Sequence, residues 1–341
     1  MLKVVRLDSE TFPVPVVDIE KSYLKEMGFD EIVEIEGRTP QEIIDACKDA
    51  DVVIVVSNYL KENVIKEFRN CRAIIRKGTG CDKIDLNYAT EKGIIVANMP
   101  EFGENEVSEH AMLLLLALAR KLPQMEKAVI ERNWINARKQ NVLNRVSGKT
   151  LGLVGFGLIG KAVACRAKAF GLNILDYHRN VNPEVEKQYG VIPVPFERLL
   201  KESDFIIVTC PLTEETRGMI GERELKMMKP TALLINVARG AICDEHALAK
   251  VLKDKTIAGA AIDVYEHLNM FAAPEGQPEC LYKDLDNVIL TPHCAANSTE
   301  NAMEGINKSM EQLRMIMQNK FPTSCVNPEV YEKVKDRYVK A

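Results

Sequence analysis

Short runs of β-branched and aliphatic residues recur at 52–56, 94–98, 151–155, 173–177, 205–210, 232–236, 257–263 and 288–290. They are nearly continuous in apolar character, and helical patterns lie between them at 159–170, 215–228 and 246–252. A strand buried on both faces reads as an unbroken apolar run, and parallel sheets covered by helices on both sides are the setting that buries both faces. The pattern therefore predicts an α/β protein with doubly wound parallel sheets. Residues 1–5 read as a strand, 107–127 as one long helix, and 132–147 as a polar surface excursion. A second long helical pattern follows residue 293 and runs to about Gln318, suited to carrying the chain back to its first domain. Residues 322–341, charged and with prolines at 322 and 328, read as a peripheral tail.

The 341 residues, at roughly 100–200 per domain, favour two domains. A net charge of −4 argues against nucleic acid or an anionic membrane as a partner, while leaving room for a local basic pocket. The longest apolar run, 111–119, is far short of the ~20 residues that span a bilayer. No secretory leader pattern opens the chain. Its nine cysteines are scattered, with no C-x-x-C, so neither a zinc site nor a disulfide framework is expected. A reducing cytoplasm fits these features, and no metal is expected.

Candidate chemistry begins at Gly155, Gly157 and Gly160, a G-x-G-x-x-G placed after a strand and at the start of a helix. The first glycine permits a tight turn, the second lets backbone approach a pyrophosphate, and the third allows close helix packing. About a hundred residues of α/β pattern precede this turn, enough for a separate domain. The division expected is 1–99 with 296–341 for substrate and 100–295 for a dinucleotide. An acid at the tip of the next strand would accept from the ribose 2′-OH of NAD. Here the tip carries His178 and Arg179, and alternation turns Asp176 to a face of the sheet. A guanidinium pairs with a 2′-phosphate, so NADP(H) is favoured over NAD(H). The bland alternative is a solvated Arg179 with Asp176 still serving the ribose.

Three further segments lie near strand ends: Asn236-Val-Ala-Arg239-Gly240, Ala261-Ile-Asp263-Val-Tyr and Thr291-Pro-His293. Reduction of a 2-keto acid needs a cation for the carboxylate and a proton donor for the oxygen; arginine and histidine suit those tasks. Singly, Arg239 reads as a surface salt bridge and His293 as a core histidine. Together with the glycine turn, Pro211-Leu212-Thr213 with Thr216, and upstream 76–82, 96–100 and 108–110, their order resembles the D-isomer-specific 2-hydroxyacid dehydrogenases across nearly the whole chain. That family includes phosphoglycerate and D-lactate dehydrogenases and glyoxylate and hydroxypyruvate reductases.

The resemblance implies a Rossmann domain inserted in a flavodoxin-like substrate domain, and a homodimer. It implies that Arg239 binds the substrate carboxylate, that His293 is the general acid in reduction, and that Asp263 holds the nicotinamide carboxamide. Thr79, Leu158, Ile159, Cys210, Val237, Ala238 and Ala295 would line the cofactor with the three glycines, and Gly78, Thr79 and Gly80 would reach substrate. The chain departs from the family at the carboxylate that pairs with the histidine: Leu268 stands there, and the nearest acid is Glu266. Either Glu266 is displaced into the role through the unusual loop 269–278, or His293 works without an acid, or activity is weak. Phosphoglycerate-type relatives carry a phosphate-binding arginine where this chain has Val56, which favours a small unphosphorylated acid. Cys81, Cys210 and Cys294 fall in these loops, as filler or as an oxidation target. The competing readings are an NAD-linked phosphoglycerate-type enzyme and a weakly catalytic, nucleotide-sensing interaction protein.

Overall fold

Alternate residues of the central strands enter opposite apolar cores, and this sets the architecture of each unit. The computed structural model describes residues 2–8, 14–140, 143, 145–271 and 274–340, the side chains of 14–17 and 140 aside. It divides into two units, Met1–Phe102 with Ser298–Ala341, and Gly103–Asn297.

The first unit opens with β1 (Leu2–Leu7), α1 (Val14–Glu26), β2 (Phe29–Ile35), α2 (Pro40–Cys47), β3 (Val52–Val55), α3 (Glu62–Ile65), β4 (Ala73–Arg76), α4 (Leu86–Glu91) and β5 (Ile95–Ala97). Its sheet is parallel in the order β2-β1-β3-β4-β5, the flavodoxin-like winding. Val52 and Ile54 pack on one face with Leu24, while Val53 and Val55 pack on the other with Ile43 and Ile65. Each such side chain removed from water contributes roughly 1.5–3 kcal/mol.

The second unit contains α5 (Glu104–Ala119), α6 (Leu122–Ile130), α7 (Trp134–Gln140), β6 (Thr150–Val154), α8 (Leu158–Ala169), β7 (Asn173–Tyr177), α9 (Pro183–Tyr189), β8 (Ile192–Pro193), α10 (Phe196–Glu202), β9 (Phe205–Val208), α11 (Glu222–Met227), β10 (Leu233–Asn236), α12 (Glu245–Lys253), β11 (Gly259–Ile262) and β12 (Val288–Leu290). Its parallel sheet runs β12-β11-β10-β9-β6-β7-β8, the Rossmann order with the winding reversed beside β6. The chain then returns to the first unit through α13 (Thr299–Met317), β13 (Lys320–Phe321), α14 (Tyr331–Val334) and β14 (Val339–Lys340).

Three expectations need correction. The helix expected over 107–127 is two: α5 ends at Ala119, Lys121 is left-handed (φ 50°), and Pro123 lies in the first turn of α6. Proline has no N–H and its ring meets the carbonyl four residues back, so it can open a helix but not continue one. The expected helix 215–228 survives only as α11. Its first part is a turn in which Thr216 Oγ accepts from the Thr213 N–H at 2.8 Å and donates to Pro211 O at 2.7 Å. The tail is not peripheral: Val330 and Tyr338 are buried in the first unit's core. Buried Asn327 accepts from Val96 N–H at 2.8 Å and donates to Ile94 O at 3.0 Å, so the tail covers the edge at β5. The excursion at 132–147 contains α7; its residues 141, 142 and 144 lie outside the described residues.

Candidate active site

The glycine turn joins β6 to α8. Gly155 has φ 107°, and a Cβ there would come within 2.6 Å of Cys210 N. A Cβ on Gly160 would lie 2.4 Å from Gly155 O, so both positions demand glycine for packing. Gly157 differs: nothing lies within 4 Å of where its Cβ would stand. The fold does not need glycine there, whereas an anion approaching backbone at the N-terminus of α8 does. That open cradle fits a dinucleotide pyrophosphate. Leu158 is exposed and Ile159 half-buried on the first turn of α8, beside it.

The remaining candidates of this unit stand at the C-terminal ends of neighbouring strands. Cys210 follows β9, Val237, Ala238 and Arg239 follow β10, Asp263 follows β11, and His293 and Ala295 follow β12. Neighbouring strands are ~4.8 Å apart, so Arg239 and His293 start roughly 10 Å apart along the sheet edge. Asn236 braces the first of these turns, accepting from Ala238 N–H at 3.1 Å and donating to Arg239 O at 2.9 Å. Gly240 is required by close approach, because a Cβ there would lie 2.3 Å from Glu266 N.

Asp263 is fully buried, and it organises the turn that carries His293. It accepts from Thr291 Oγ at 2.6 Å, Cys294 N–H at 3.0 Å and Ala295 N–H at 3.1 Å. His110 on α5 reaches Thr291 Oγ at 3.1 Å from behind. The turn is tight, with His293 N–H donating to Thr291 O at 3.0 Å and His293 itself left-handed (φ 54°). Sequence reading missed this positioning role, which comes in addition to the carboxamide contact expected of Asp263.

Glu266 is held by an arginine. Its carboxylate is half-exposed and accepts from Arg217 Nη1 at 2.6 Å. From the loop 269–278 Phe271 packs on the ring of His293, and residues 272 and 273 of that loop lie outside the described residues. Burial pushes the Cys210 thiol up to about 11 and raises that of Cys294, which makes them packing residues more than nucleophiles.

At the tip of β7 the two candidates part. His178 Nδ1 lies 2.5 Å from Asp176 Oδ2, and Nε2 lies 3.0 Å from Asn180 O and 3.2 Å from Glu186 Oε1. Both ring nitrogens are engaged inside the protein, which gives His178 a structural role at the tip where a ribose contact was expected. Asp176 is buried on the sheet, its carboxyl raised by burial against the opposing hydrogen bond from His178. Arg179 is 69% exposed and pairs with Glu215. Glu215 had no signal in the sequence, since it comes from the loop after β9.

In the first unit, Gly78, Thr79 and Gly80 form the loop after β4. Gly78 has φ 139°. Arg76 Nε donates to Gly80 O at 2.9 Å, Asn98 Nδ2 to Thr79 O at 2.7 Å, and Thr79 Oγ to Met99 O at 3.2 Å. The loop is thereby held with Thr79 exposed.

A Rossmann-ordered sheet, an open glycine cradle beside its switch point, and an arginine and a histidine on the same edge define a dinucleotide-dependent oxidoreductase. Comparison with known proteins gives the family. Residues 112–295 match the model of the D-isomer specific 2-hydroxyacid dehydrogenase, NAD binding domain. The chain is 38% identical over 307 residues to a glyoxylate reductase of Pyrococcus furiosus, covering 88% of this chain and 89% of that one. It is 39% identical over 307 residues to a D-3-phosphoglycerate dehydrogenase of Methanocaldococcus jannaschii, covering 89% of this chain and 56% of that one. The D-lactate dehydrogenase of Aquifex aeolicus, solved with NAD and lactic acid, superposes with a TM-score of 0.81 at 27% identity, covering 98% of each chain. The chain belongs to the D-isomer specific 2-hydroxyacid dehydrogenase family and is an NAD(P)-dependent oxidoreductase of 2-hydroxy acids.

Proposed function

We propose that this enzyme reduces small, unphosphorylated 2-keto acids of the glyoxylate and hydroxypyruvate kind, with NADPH preferred over NADH. The observation that carries the reading is buried Asp263 holding the His293 turn two strands from Arg239. A dinucleotide held by its pyrophosphate at the glycine turn would supply the hydride from its nicotinamide. Arg239 binds the carboxylate through a guanidinium that keeps its charge, and polarises the keto oxygen. His293 gives its proton to that oxygen in reduction and takes it back in oxidation. Gly78, Thr79 and Gly80 offer backbone N–H groups to substrate, while Thr79, Leu158, Ile159, Cys210, Val237, Ala238 and Ala295 line the cofactor.

The preference for an unphosphorylated acid has support at the end of β3. There Asp8 accepts from the N–H groups of Val56 and Ser57, each at 2.9 Å, and from Ser57 Oγ at 2.5 Å. The protein's own carboxylate fills this backbone nest, and Val56 brings no cation to the strand end, so this nest offers nothing to a phosphate. NADPH preference is supported by exposed Arg179 at the tip of β7. The Arg179–Glu215 pair favours a second reading, an NAD-linked enzyme in which Glu215 accepts from the ribose. Exposed Leu122, Val129, Ile130, Trp134 and Ile135 on α6 and α7 support a homodimer, and nine free cysteines support a reducing cytoplasm. Among the described residues no helix is long and apolar enough to cross a membrane.

The test is a panel of 2-keto acids assayed with each reduced cofactor, for the wild type and Arg239→Ala. Turnover should be greatest with a small unphosphorylated acid and NADPH. The variant should lose about 10²–10³-fold in kcat/KM. An unchanged kcat/KM in the variant overturns the role of Arg239.

A further inference from the structure

Next to the Glu266 backbone, two imidazoles meet where α12 lies beside the segment that follows β11. His246 stands exposed on the first turn of α12, and its Nε2 lies 2.7 Å from His267 Nε2. The ring centroids are 4.6 Å apart with planes at 69°. On its other side, His267 Nδ1 lies 3.3 Å from Glu245 Oε2. Glu245 is 5% exposed, and its carboxylate also accepts from the N–H groups of Glu266 at 2.8 Å and His267 at 3.2 Å. These bonds hold Glu245 in place and fix the backbone that carries His267.

The Glu245 carboxylate lies beside Nδ1 as an ionic neighbour, and its charge favours the tautomer that carries the ring proton on that side. In the neutral ring the Nε2 lone pair is then bare and aimed at His246. Two nitrogens at 2.7 Å leave room for one proton between them, or for a different electrophile if the rings part slightly. A carboxylate on the far nitrogen of an imidazole is the arrangement that orients metal-ligating histidines and strengthens them as donors.

We propose that His246 and His267 form a two-imidazole site for a divalent transition-metal ion, with Glu245 orienting His267 and solvent completing the coordination. Geometry narrows the ion. With metal–nitrogen bonds of about 2.0–2.1 Å, ligands at a right angle lie roughly 2.9 Å apart and tetrahedral ligands roughly 3.4 Å apart. The rings need to open by only a few tenths of an ångström for the first arrangement. Tetragonal Cu(II) or Ni(II) is therefore favoured over tetrahedral zinc. On loading, His246 passes from its Nε2–H to its Nδ1–H tautomer, which its exposed ring permits. The bound ion ties α12 to the segment 264–268.

The experiment titrates Ni²⁺ calorimetrically into the full chain without any polyhistidine tag, for the wild type, His246→Asn and His267→Asn. Cu²⁺ is then followed by electron paramagnetic resonance on the same proteins. Both side chains reach the surface, and circular dichroism checks that the variants keep the fold. One Ni²⁺ per chain is expected, weakened at least tenfold in either variant, with a copper signal from two nitrogen ligands that falls to one. Equal Ni²⁺ affinity in the wild type and both variants, or a copper signal unmoved by either substitution, overturns the proposal and assigns the metal to other groups such as the thiols.

Discussion

Phe271 meets the ring of His293 edge to face, with centroids 4.8 Å apart and planes at 61°. An aromatic thus stands beside the imidazole in a family whose histidine is usually partnered by an acid. Leu268 occupies the position of that acid, and Glu266 turns to Arg217. Restoring a carboxylate through Leu268→Glu should stabilise the protonated imidazole. Reduction uses the protonated form, so the alkaline limb of the kcat/KM profile should move to higher pH by about 1–2 units. The measurement is a pH–rate profile of the variant beside the wild type. Coincident limbs would show that position 268 does not reach His293.

In the proposed function, cofactor choice turns on Arg179 and Glu215. Their pair is exposed on both sides, so it contributes little to stability, about 0–1 kcal/mol. Its effect should fall on the 2′-phosphate, which competes with Glu215 for the same guanidinium. Glu215→Gln should lower KM for NADPH several-fold and leave KM for NADH equal or higher. Arg179→Asp should swing the preference to NADH. An NADPH/NADH ratio that stays put in both variants removes this edge of β7 from the selectivity argument.

The two outer glycines of the turn and the middle one should respond differently to alanine. Gly155→Ala places a Cβ against Cys210 backbone at a left-handed φ, and should destabilise the fold by roughly 1–3 kcal/mol. Gly157→Ala meets open space at φ −76°, which alanine adopts freely, so its thermal midpoint should match the wild type. Its KM for the cofactor should nonetheless rise about tenfold or more, since the methyl group stands where the pyrophosphate approaches backbone. A Gly157→Ala enzyme with unchanged KM would separate this turn from cofactor binding.

What the sequence disclosed follows from burial. The core strands β3, β5, β6, β9, β10 and β11 are buried nearly throughout, and their unbroken apolar runs announced them. β2 alternates with acids because it lies at the sheet edge with most of its residues part-exposed, and the apolar run of β4 is only Ala73-Ile-Ile between Arg72 and Arg76; neither stood out. The site shows the same division. Gly155, Arg239, Asp263 and His293 are local signals on strand ends. Glu215, Arg217 and Phe271 matter through partners 36, 49 and 22 residues away (215−179, 266−217 and 293−271). No local pattern records such pairings.

The helices α6 and α7 present an apolar face that the unit itself leaves uncovered. Ile130 is 75% exposed, Val129 and Ile135 are each 63%, and Trp134 is 47%. Scattered exposed apolar residues are ordinary, but this group is consecutive in sequence on two adjoining helices, and an aromatic among aliphatics is the composition of an interface core. If a second copy covers it, Ile130→Lys with Ile135→Lys should split the dimer by burying like charges against their own symmetry mates. Light scattering behind a sizing column should read about twice the chain mass for the wild type and one chain mass for the double variant. Neither residue belongs to the turns that carry Arg239 or His293, so circular dichroism and cofactor binding should be retained. A wild type that elutes as a monomer at tens of micromolar, or a double variant that stays dimeric, would move the contact away from this face.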